Sequence, residues 1–275
     1  MMDKITEQPS LYRHLEKKTI DELTFHINKE DQKVAAAIQK ALPQVNALIS
    51  VIVNKLRNGG RMFYVGAGAG GRLAVLDTLE LPTTYGIEKG IVNVVLAGGT
   101  ENLVHAPEDQ EDDVAAGWNA LQELNISASD IVVGISASGS TPFVLASLSK
   151  CRQAGITIGC IVSNPSSDIA ELADFPVEIL TGPEFVTGST RMKCGTAQKM
   201  IFDMISTTAM IQLGKVADNS MVNVQLVNNK IINRSAKMLM NKGGIEDYDQ
   251  AKKIVIAYGS VQLALDALDP KRFGC

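Results

Sequence analysis

Hydrophobic positions set two rhythms along this chain. Val34, Ile38, Ala41, Leu42, Val45, Leu48, Ile49, Ile52 and Leu56 recur every three or four residues, the stripe of an amphipathic helix. A shorter helical stretch at about 19–27 precedes it, with Asn28 and Asp31 as a candidate cap between the two. Pro43 inside the stripe predicts a kink or two abutting helices, and Gly59-Gly60 ends it. From residue 61 the rhythm shortens. Apolar runs at 62–65, 91–96, 131–135, 156–162 and 176–180 lack clean alternation, as strands buried on both faces do. Helical segments at 71–81, 110–123, 141–154 and 167–173 separate most of them. Strands and helices in alternation imply a parallel sheet covered on both sides.

Beyond the last run, residues 192–213 read as a helix that is apolar nearly all round, hence buried, with Gly214 closing it. Two more helices, at about 220–241 and 246–267, flank Gly243-Gly244. The pattern divides the chain into an N-terminal arm and helices (1–58), an α/β domain (59–215) and a C-terminal helical segment (216–275).

Composition narrows the function classes. The 275 residues are 45% hydrophobic and 20% charged, ordinary for a globular protein that needs no staples. A net charge of −4 leaves no basic surplus for nucleic acid or anionic lipid. An anionic ligand would have to be caught by local amides and hydroxyls. Cys151, Cys160, Cys194 and Cys275 are scattered, which argues against a disulfide framework or zinc site and fits a reducing cytoplasm. The first 18 residues are polar and lack the apolar core of a secretory signal. No uninterrupted apolar run approaches the roughly 20 residues that span a bilayer. The expectation is a cytoplasmic protein with no membrane or nucleic-acid partner.

Three polar loops carry the candidate chemistry. The first, Gly66-Ala67-Gly68-Ala69-Gly70-Gly71-Arg72, links a strand to a helix and satisfies G-x-G-x-x-G. A dinucleotide site also needs an acid at the end of the next strand to hold the ribose. That strand ends Leu96-Ala97-Gly98-Gly99-Thr100, and Glu101 comes too late. A phosphate or other anion at the helix start is the better reading. The second loop, Ser136-Ala137-Ser138-Gly139-Ser140-Thr141-Pro142, clusters four hydroxyls where a strand hands over to a helix. Thr141 can cap that helix with Pro142 in its first turn, which leaves Ser136, Ser138 and Ser140 free for a ligand. The third loop, 182–196, precedes the buried helix and offers Glu184, Ser189 and Thr190 with the cations Arg191 and Lys193 on its exposed side. His105 and Glu108 stand three apart, yet three histidines in the whole chain supply no full metal ligand set.

Together these loops resemble the sugar isomerase (SIS) domain and, more closely, the N-acetylmuramic acid 6-phosphate etherases. The likeness spans about residues 5–240. It rests on Thr6-Glu7-Gln8, residues 27–31 (INKED), 66–72, 76–82 (LDTLELP), 96–99, 105–112 (HAPEDQED), 136–142 and, most specifically, 188–199 (GSTRMKCGTAQK). The resemblance implies a three-layer, flavodoxin-like SIS domain on a five-stranded parallel sheet, with added N- and C-terminal helices. It implies a lyase with no metal or redox cofactor that eliminates D-lactate from the open-chain sugar and adds water. The sugar product is N-acetylglucosamine 6-phosphate, and the process is cell-wall sugar recycling.

The family's two catalytic glutamates fall on Glu80, as proton donor to lactate, and Glu111, handling the C2 proton or the water. Glu80 reads as the end of a helix before Pro82, where a carboxylate meets the negative end of the helix dipole. Gly68, Ala69, Gly70, Ser136, Ser138, Ser140, Thr141, Glu184, Ser189 and Thr190 are the expected phosphate and sugar contacts. The chain departs from the family where Ala69-Gly70 stands for Thr-Ser and Ser140 for Arg, losing two hydroxyls and a cation. The surplus of apolar helix face predicts a homodimer. A non-catalytic regulator resembling the glucokinase regulatory protein and an aldose–ketose isomerase are the rival readings.

Overall fold

The computed structural model describes residues 4–103 and 107–268. Helix α1, Ile20–Arg57, runs unbroken for 38 residues. The expected division at Asn28 and Asp31 is absent. The start lies instead at Thr19, whose hydroxyl accepts the Glu22 N–H at 3.2 Å while the Glu22 carboxylate accepts the Thr19 N–H at 2.8 Å. This reciprocal cap satisfies two amides that the helix cannot. Pro43 lies within α1 without dividing it. The buried stripe on either side of it, Val34 and Ile38 before, Val45, Leu48 and Ile52 after, holds the helix together. By hydropathy and length alone α1 would pass as a membrane span, but Val45, Leu48 and Ile52 are fully buried in the core.

Five strands follow the expected order: β1 Met62–Gly66, β2 Val92–Leu96, β3 Ile131–Ser136, β4 Thr157–Val162 and β5 Phe175–Glu178. All pair in parallel, in the order β2-β1-β3-β4-β5. The intervening helices are α2 Gly68–Tyr85, α3 Ala116–Glu123, α4 Pro142–Gln153 and α5 Asp168–Leu172. Residues 108–112 form a 3-10 turn rather than the start of α3. One face of the sheet (Phe63, Val65, Val132, Ile158, Cys160) packs on Phe143, Val144 and Leu148 of α4. On the other face Tyr64 meets Phe202 at 5.1 Å, and a Cβ on Gly159 would lie 2.5 Å from Leu48 of α1. This strand order reverses direction between β1 and β3, and ligands of open α/β sheets bind at the carboxyl ends there. The first two polar loops leave the sheet at those two strand ends.

Helix α6, Lys193–Gln212, buries most of its surface, including Cys194, Ala197, Ile201, Phe202 and Ile205. Among the described residues the C-terminal part holds three helices: α7 Asn229–Gly243, α8 Tyr248–Tyr258 and α9 Val261–Leu268. The first of the two expected there starts later than 220. The second is broken by Gly259, whose φ of +80° closes α8 in the left-handed region. The chain forms two compact units. One comprises Met1–Thr78 and Gly90–Ser206, the other Leu79–Lys89 and Thr207–Cys275, whereas the sequence boundaries fall at 58 and 215. Val222, Ala236, Leu239, Val255, Val261 and Leu265 form the core of the second unit.

Candidate functional site

The glycine loop is shaped by close approach of backbone to backbone. A Cβ on Gly71 would lie 2.5 Å from Leu96 Cδ1 and 2.8 Å from the carbonyl carbon of Gly66. A Cβ on Gly66 would lie 2.9 Å from Gly71 Cα. Glycine at both positions lets α2 start hard against the end of β1. Gly70 is buried against Ile135 and the Gln198 amide, so a side chain there would have to displace one of them. Gly68 and Ala69 stay half-exposed at the helix start.

The second loop is a chain of hydroxyls. Ser140 Oγ donates to Ser138 Oγ at 3.3 Å, Ser138 and Ser136 lie 3.2 Å apart, and Ser136 and Thr141 lie 2.8 Å apart. Thr141 Oγ1 then donates to Glu111 Oε1 at 3.0 Å. The expected capping of α4 by Thr141 is not formed: its side chain makes no hydrogen bond to the helix amides. The hydroxyl is turned instead toward Ser136 and Glu111. Pro142 still occupies the first turn of α4. The structure therefore brings Glu111, Ser136, Ser138, Ser140 and Thr141 together. Glu111 also lines a crevice with Ala67, Gly68, Arg72, Pro107 and Glu108, next to the first loop. Across that crevice Arg72 pairs with Glu108 at 2.6 Å.

The third loop is held by ionic contacts. The Glu184 carboxylate, 1% exposed, accepts the N–H groups of Lys193 and Cys194, both at 2.9 Å, and so caps α6. Both of its oxygens are thereby engaged. Lys193 is not the exposed cation that its sequence context suggests. It is 2% exposed and bonded to Glu30 Oε2 at 2.8 Å and to the Thr181 carbonyl at 3.0 Å. Ser189 and Thr190 lie at the turn before α6, partly exposed. No described contact joins them to the second loop.

The N-terminal arm ties the second and third loops together, a role the sequence did not reveal. Asn164 donates to Thr6 Oγ1 at 2.9 Å and to the carbonyls of Ala137 and Ser138. Its side-chain oxygen accepts the Thr6 N–H at 3.2 Å. Ser10 Oγ donates to the Phe185 carbonyl at 2.7 Å, and the Ser10 N–H reaches Thr187 Oγ1 at 2.9 Å. Lys4 donates to Ser140 Oγ at 2.5 Å.

Glu80 is exposed on α2, in the stretch of that helix that belongs to the second unit. The helix runs on through Pro82 to Tyr85, so Glu80 does not end it and does not sit at the negative end of the helix dipole, contrary to the expectation from Pro82. Three residues earlier, Asp77 is buried. Burial pushes its pKa up to about 6, against a single hydrogen bond from Ser206 at 2.9 Å. Its second oxygen has no partner among the described atoms, nor does the Tyr64 hydroxyl. No cluster of metal-ligating side chains occurs among the described residues, and His105 lies outside them.

Comparison with known proteins gives this arrangement its relatives. A model of the SIS domain matches residues 115–208, and one of the glucokinase regulatory protein N-terminal SIS domain matches residues 44–152. An N-acetylmuramic acid 6-phosphate etherase of Bacteroides fragilis is 51% identical over 264 residues, covering 96% of this chain and 94% of that protein. One from Porphyromonas gingivalis is 47% identical, with 98% of each chain covered. One from a Geobacillus species is 40% identical, with 96% and 90% covered. Among solved structures, a phosphoheptose isomerase from Francisella tularensis matches with a TM-score of 0.52 and 14% identity, over 72% of this chain and 100% of that one. A phosphoheptose isomerase from Neisseria gonorrhoeae matches with a TM-score of 0.51 and 14% identity, over 69% and 97%. These two show the fold alone.

Proposed function

The chain belongs to the N-acetylmuramic acid 6-phosphate etherase family, and from that premise we infer that it is the lyase that opens the lactyl ether of this sugar phosphate. The products are N-acetylglucosamine 6-phosphate and (R)-lactate. The family likeness runs over 96% of the chain, whereas the regulatory-protein match stops at residue 152, and this favours the enzyme over the regulator.

We propose the following division of labour. The sugar reacts as its open-chain aldehyde, which makes the C2 proton acidic. Glu111 handles that proton, or the water that later adds. As C2 loses its proton, the C3–O bond breaks and its electron pair leaves with lactate. Glu80 gives that oxygen a proton. Water then adds at C3 of the unsaturated aldehyde and C2 is reprotonated. A positioned acid and base of this kind contribute about 10²–10⁴-fold each. The observation that carries Glu111 is its 3.0 Å hydrogen bond from Thr141, which fixes it at the end of the hydroxyl loop. Glu80 rests on the match to the family's motif, its exposed carboxylate being free to meet a ligand. The serine hydroxyls, with the amides of α4 left uncapped by Thr141, are the phosphate contacts.

Two further readings are proposals of the same kind. Leu11, Ile20 and Phe25 are 70%, 78% and 64% exposed, which supports a homodimer that covers them. Light scattering would show a single-chain mass if that is wrong. The free, buried thiols Cys151, Cys160 and Cys194 support a reducing, cytoplasmic setting.

The central test is release of lactate from N-acetylmuramic acid 6-phosphate, followed by a coupled assay. Glu80→Gln and Glu111→Gln should each lower kcat at least about 100-fold while melting like the wild type. In heavy-oxygen water the label should enter the sugar C3 hydroxyl and not lactate. Label in lactate would refute elimination. Substrate-induced stabilisation without lactate release would favour the regulator.

A further inference from the structure

The hydroxyl loop carries no charge of its own: residues 136–142 are Ser, Ala, Ser, Gly, Ser, Thr and Pro. A phosphate monoester is close to a dianion at neutral pH, and hydroxyls and amides alone give it no counter-charge. One side of the loop even faces a carboxylate, Glu111, through Thr141. Among the described hydrogen bonds to this loop, the donor that is a cation is Lys4, on Ser140 Oγ at 2.5 Å. We propose that Lys4 is the cation of the phosphate subsite, delivered from the N-terminal arm and recognising the 6-phosphate of the sugar. This rests on the etherase reading of the site.

The placement is built rather than incidental. Two residues after Lys4, Thr6 is 1% exposed and doubly bonded to Asn164, which also holds the carbonyls of Ala137 and Ser138. Asn164 thus fixes the arm and the loop to each other. The turn at Ile5–Glu7 is closed by the Glu7 N–H on the Lys4 carbonyl at 3.0 Å, so the backbone of Lys4 is anchored while the residue stays exposed. Exposure is what a ligand contact needs. The hydrogen bonds link the Lys4 ammonium through Ser140, Ser138, Ser136 and Thr141 to the Glu111 carboxylate. A phosphate arriving at Ser140 would meet the positive end of that chain. Of the cations in the first and third loops, Lys193 is engaged with Glu30 and Arg72 with Glu108, and Arg191 is exposed in the third loop with no described hydrogen bond to the hydroxyl loop.

The test compares wild type, Lys4→Met and Lys4→Arg in lactate release, with the sugar with and without its 6-phosphate. Loss of one solvent-exposed charge-assisted hydrogen bond predicts a KM about tenfold higher for the phosphorylated sugar in Lys4→Met, with kcat within about twofold. Lys4→Arg should keep most of the affinity. On the unphosphorylated sugar Lys4→Met and wild type should be equal. Inorganic phosphate should raise the melting temperature of the wild type and raise it less in Lys4→Met. Adding Ser140→Arg to Lys4→Met should bring KM back down, because it returns a cation to the same loop. An unchanged KM in Lys4→Met, or an equal loss on both sugars, overturns the proposal. A wild type that releases no lactate refutes the etherase reading instead, and protection by inorganic phosphate then decides the role of Lys4 by itself.

Discussion

Lys193→Met tests whether the site is held by a buried ion pair. Lys193 and Glu30 are 2% and 3% exposed and lie 2.8 Å apart. Glu30 also accepts from the Tyr12 hydroxyl at 2.9 Å and from Lys33. Burial alone would push the Glu30 pKa up. The hydrogen bonds from Lys193, Lys33 and Tyr12 outweigh burial and bring it from 4.5 to about 2. A folded-state pKa below the unfolded one means the carboxylate stabilises the fold above pH 4.5, and that contribution is lost as pH falls toward 2. The drop corresponds to about 3 kcal/mol. Removing one partner of a buried pair costs about 3–5 kcal/mol by a separate route, because it leaves a charge unpaired. At about 2–4 °C per kcal/mol for a domain of this size, Lys193→Met should lower the melting temperature by roughly 6–20 °C at pH 7. Glu30→Gln should do the same at pH 7 and flatten the loss of stability at acid pH, between about 5 and 2. The double variant Glu30→Met/Lys193→Met should recover most of the loss, since neither charge is then orphaned. Circular dichroism melts of the four proteins decide it. A Lys193→Met melt within about 2 °C of wild type, or a double variant as unstable as the two losses summed, would refute the reasoning.

Asp77 is the opposite case. Its folded pKa of about 6 exceeds the unfolded value of 3.8, so the folded state binds the proton more tightly. Stability therefore falls as pH rises from about 4 to 6, by up to about 3 kcal/mol. Asp77→Asn should raise stability at pH 7.5 by about 1–3 kcal/mol and remove that slope in urea titrations. Gly71→Ala should destabilise by at least about 1–3 kcal/mol, since its Cβ would meet Leu96 and the Gly66 backbone. Gly68→Ala, whose Cβ meets nothing within 4 Å but whose φ is +53°, should cost only about 1 kcal/mol, and thermal melts of the pair distinguish contact from backbone strain. Thr141→Val removes the hydroxyl that joins Ser136 to Glu111. It should lower kcat about 10–100-fold in the lactate assay while costing about 1 kcal/mol of stability, and full activity would separate Glu111 from the chemistry.

The strands were legible because an apolar run without alternation reports burial on both faces, and all five runs became parallel strands. Element ends were legible only where the chain itself marks them. Gly244 closes α7 at φ +69°, as the Gly-Gly pair suggested. Pro43 misleads because proline's cost is local, and in α1 burial on both sides of it outweighs that cost. Pro82 likewise lies inside α2 without ending it. The Asn28–Asp31 spacing mimics a cap, while the real cap, Thr19 with Glu22, sits at the start of the shorter stretch before it. In the site, the serine–threonine cluster was visible because four hydroxyls exceed what one helix start requires. Asn164 was not, because its partners Thr6, Ala137 and Ser138 come from two distant segments. Lys193 reads as an exposed cation because its neutralising partner is 163 residues away.

That separation bears on what the family-like stretches do. Residues 27–31 and 188–199 resemble the etherases as two separate marks. Glu30 of the first and Lys193 of the second are two halves of one buried pair. Thr6, in the stretch Thr6-Glu7-Gln8, is bonded to Asn164, and Asn164 to the hydroxyl loop. None of these groups needs to touch substrate to be required. A group about 1 Å out of place is enough to cost about 10²-fold in rate, and the hydroxyl loop is set by backbone carbonyls that Asn164 grips. Variants at Thr6 and Asn164 should therefore change the proposed phosphate subsite without removing any of its proposed ligands. Thr6→Val leaves Lys4 in the chain but breaks the bond from Asn164 Nδ2, and it should reproduce part of the KM increase of Lys4→Met. Combined with Lys4→Met it should add little further, because both act through the same ammonium. Two fully additive losses would show that the arm and Lys4 act on the site independently.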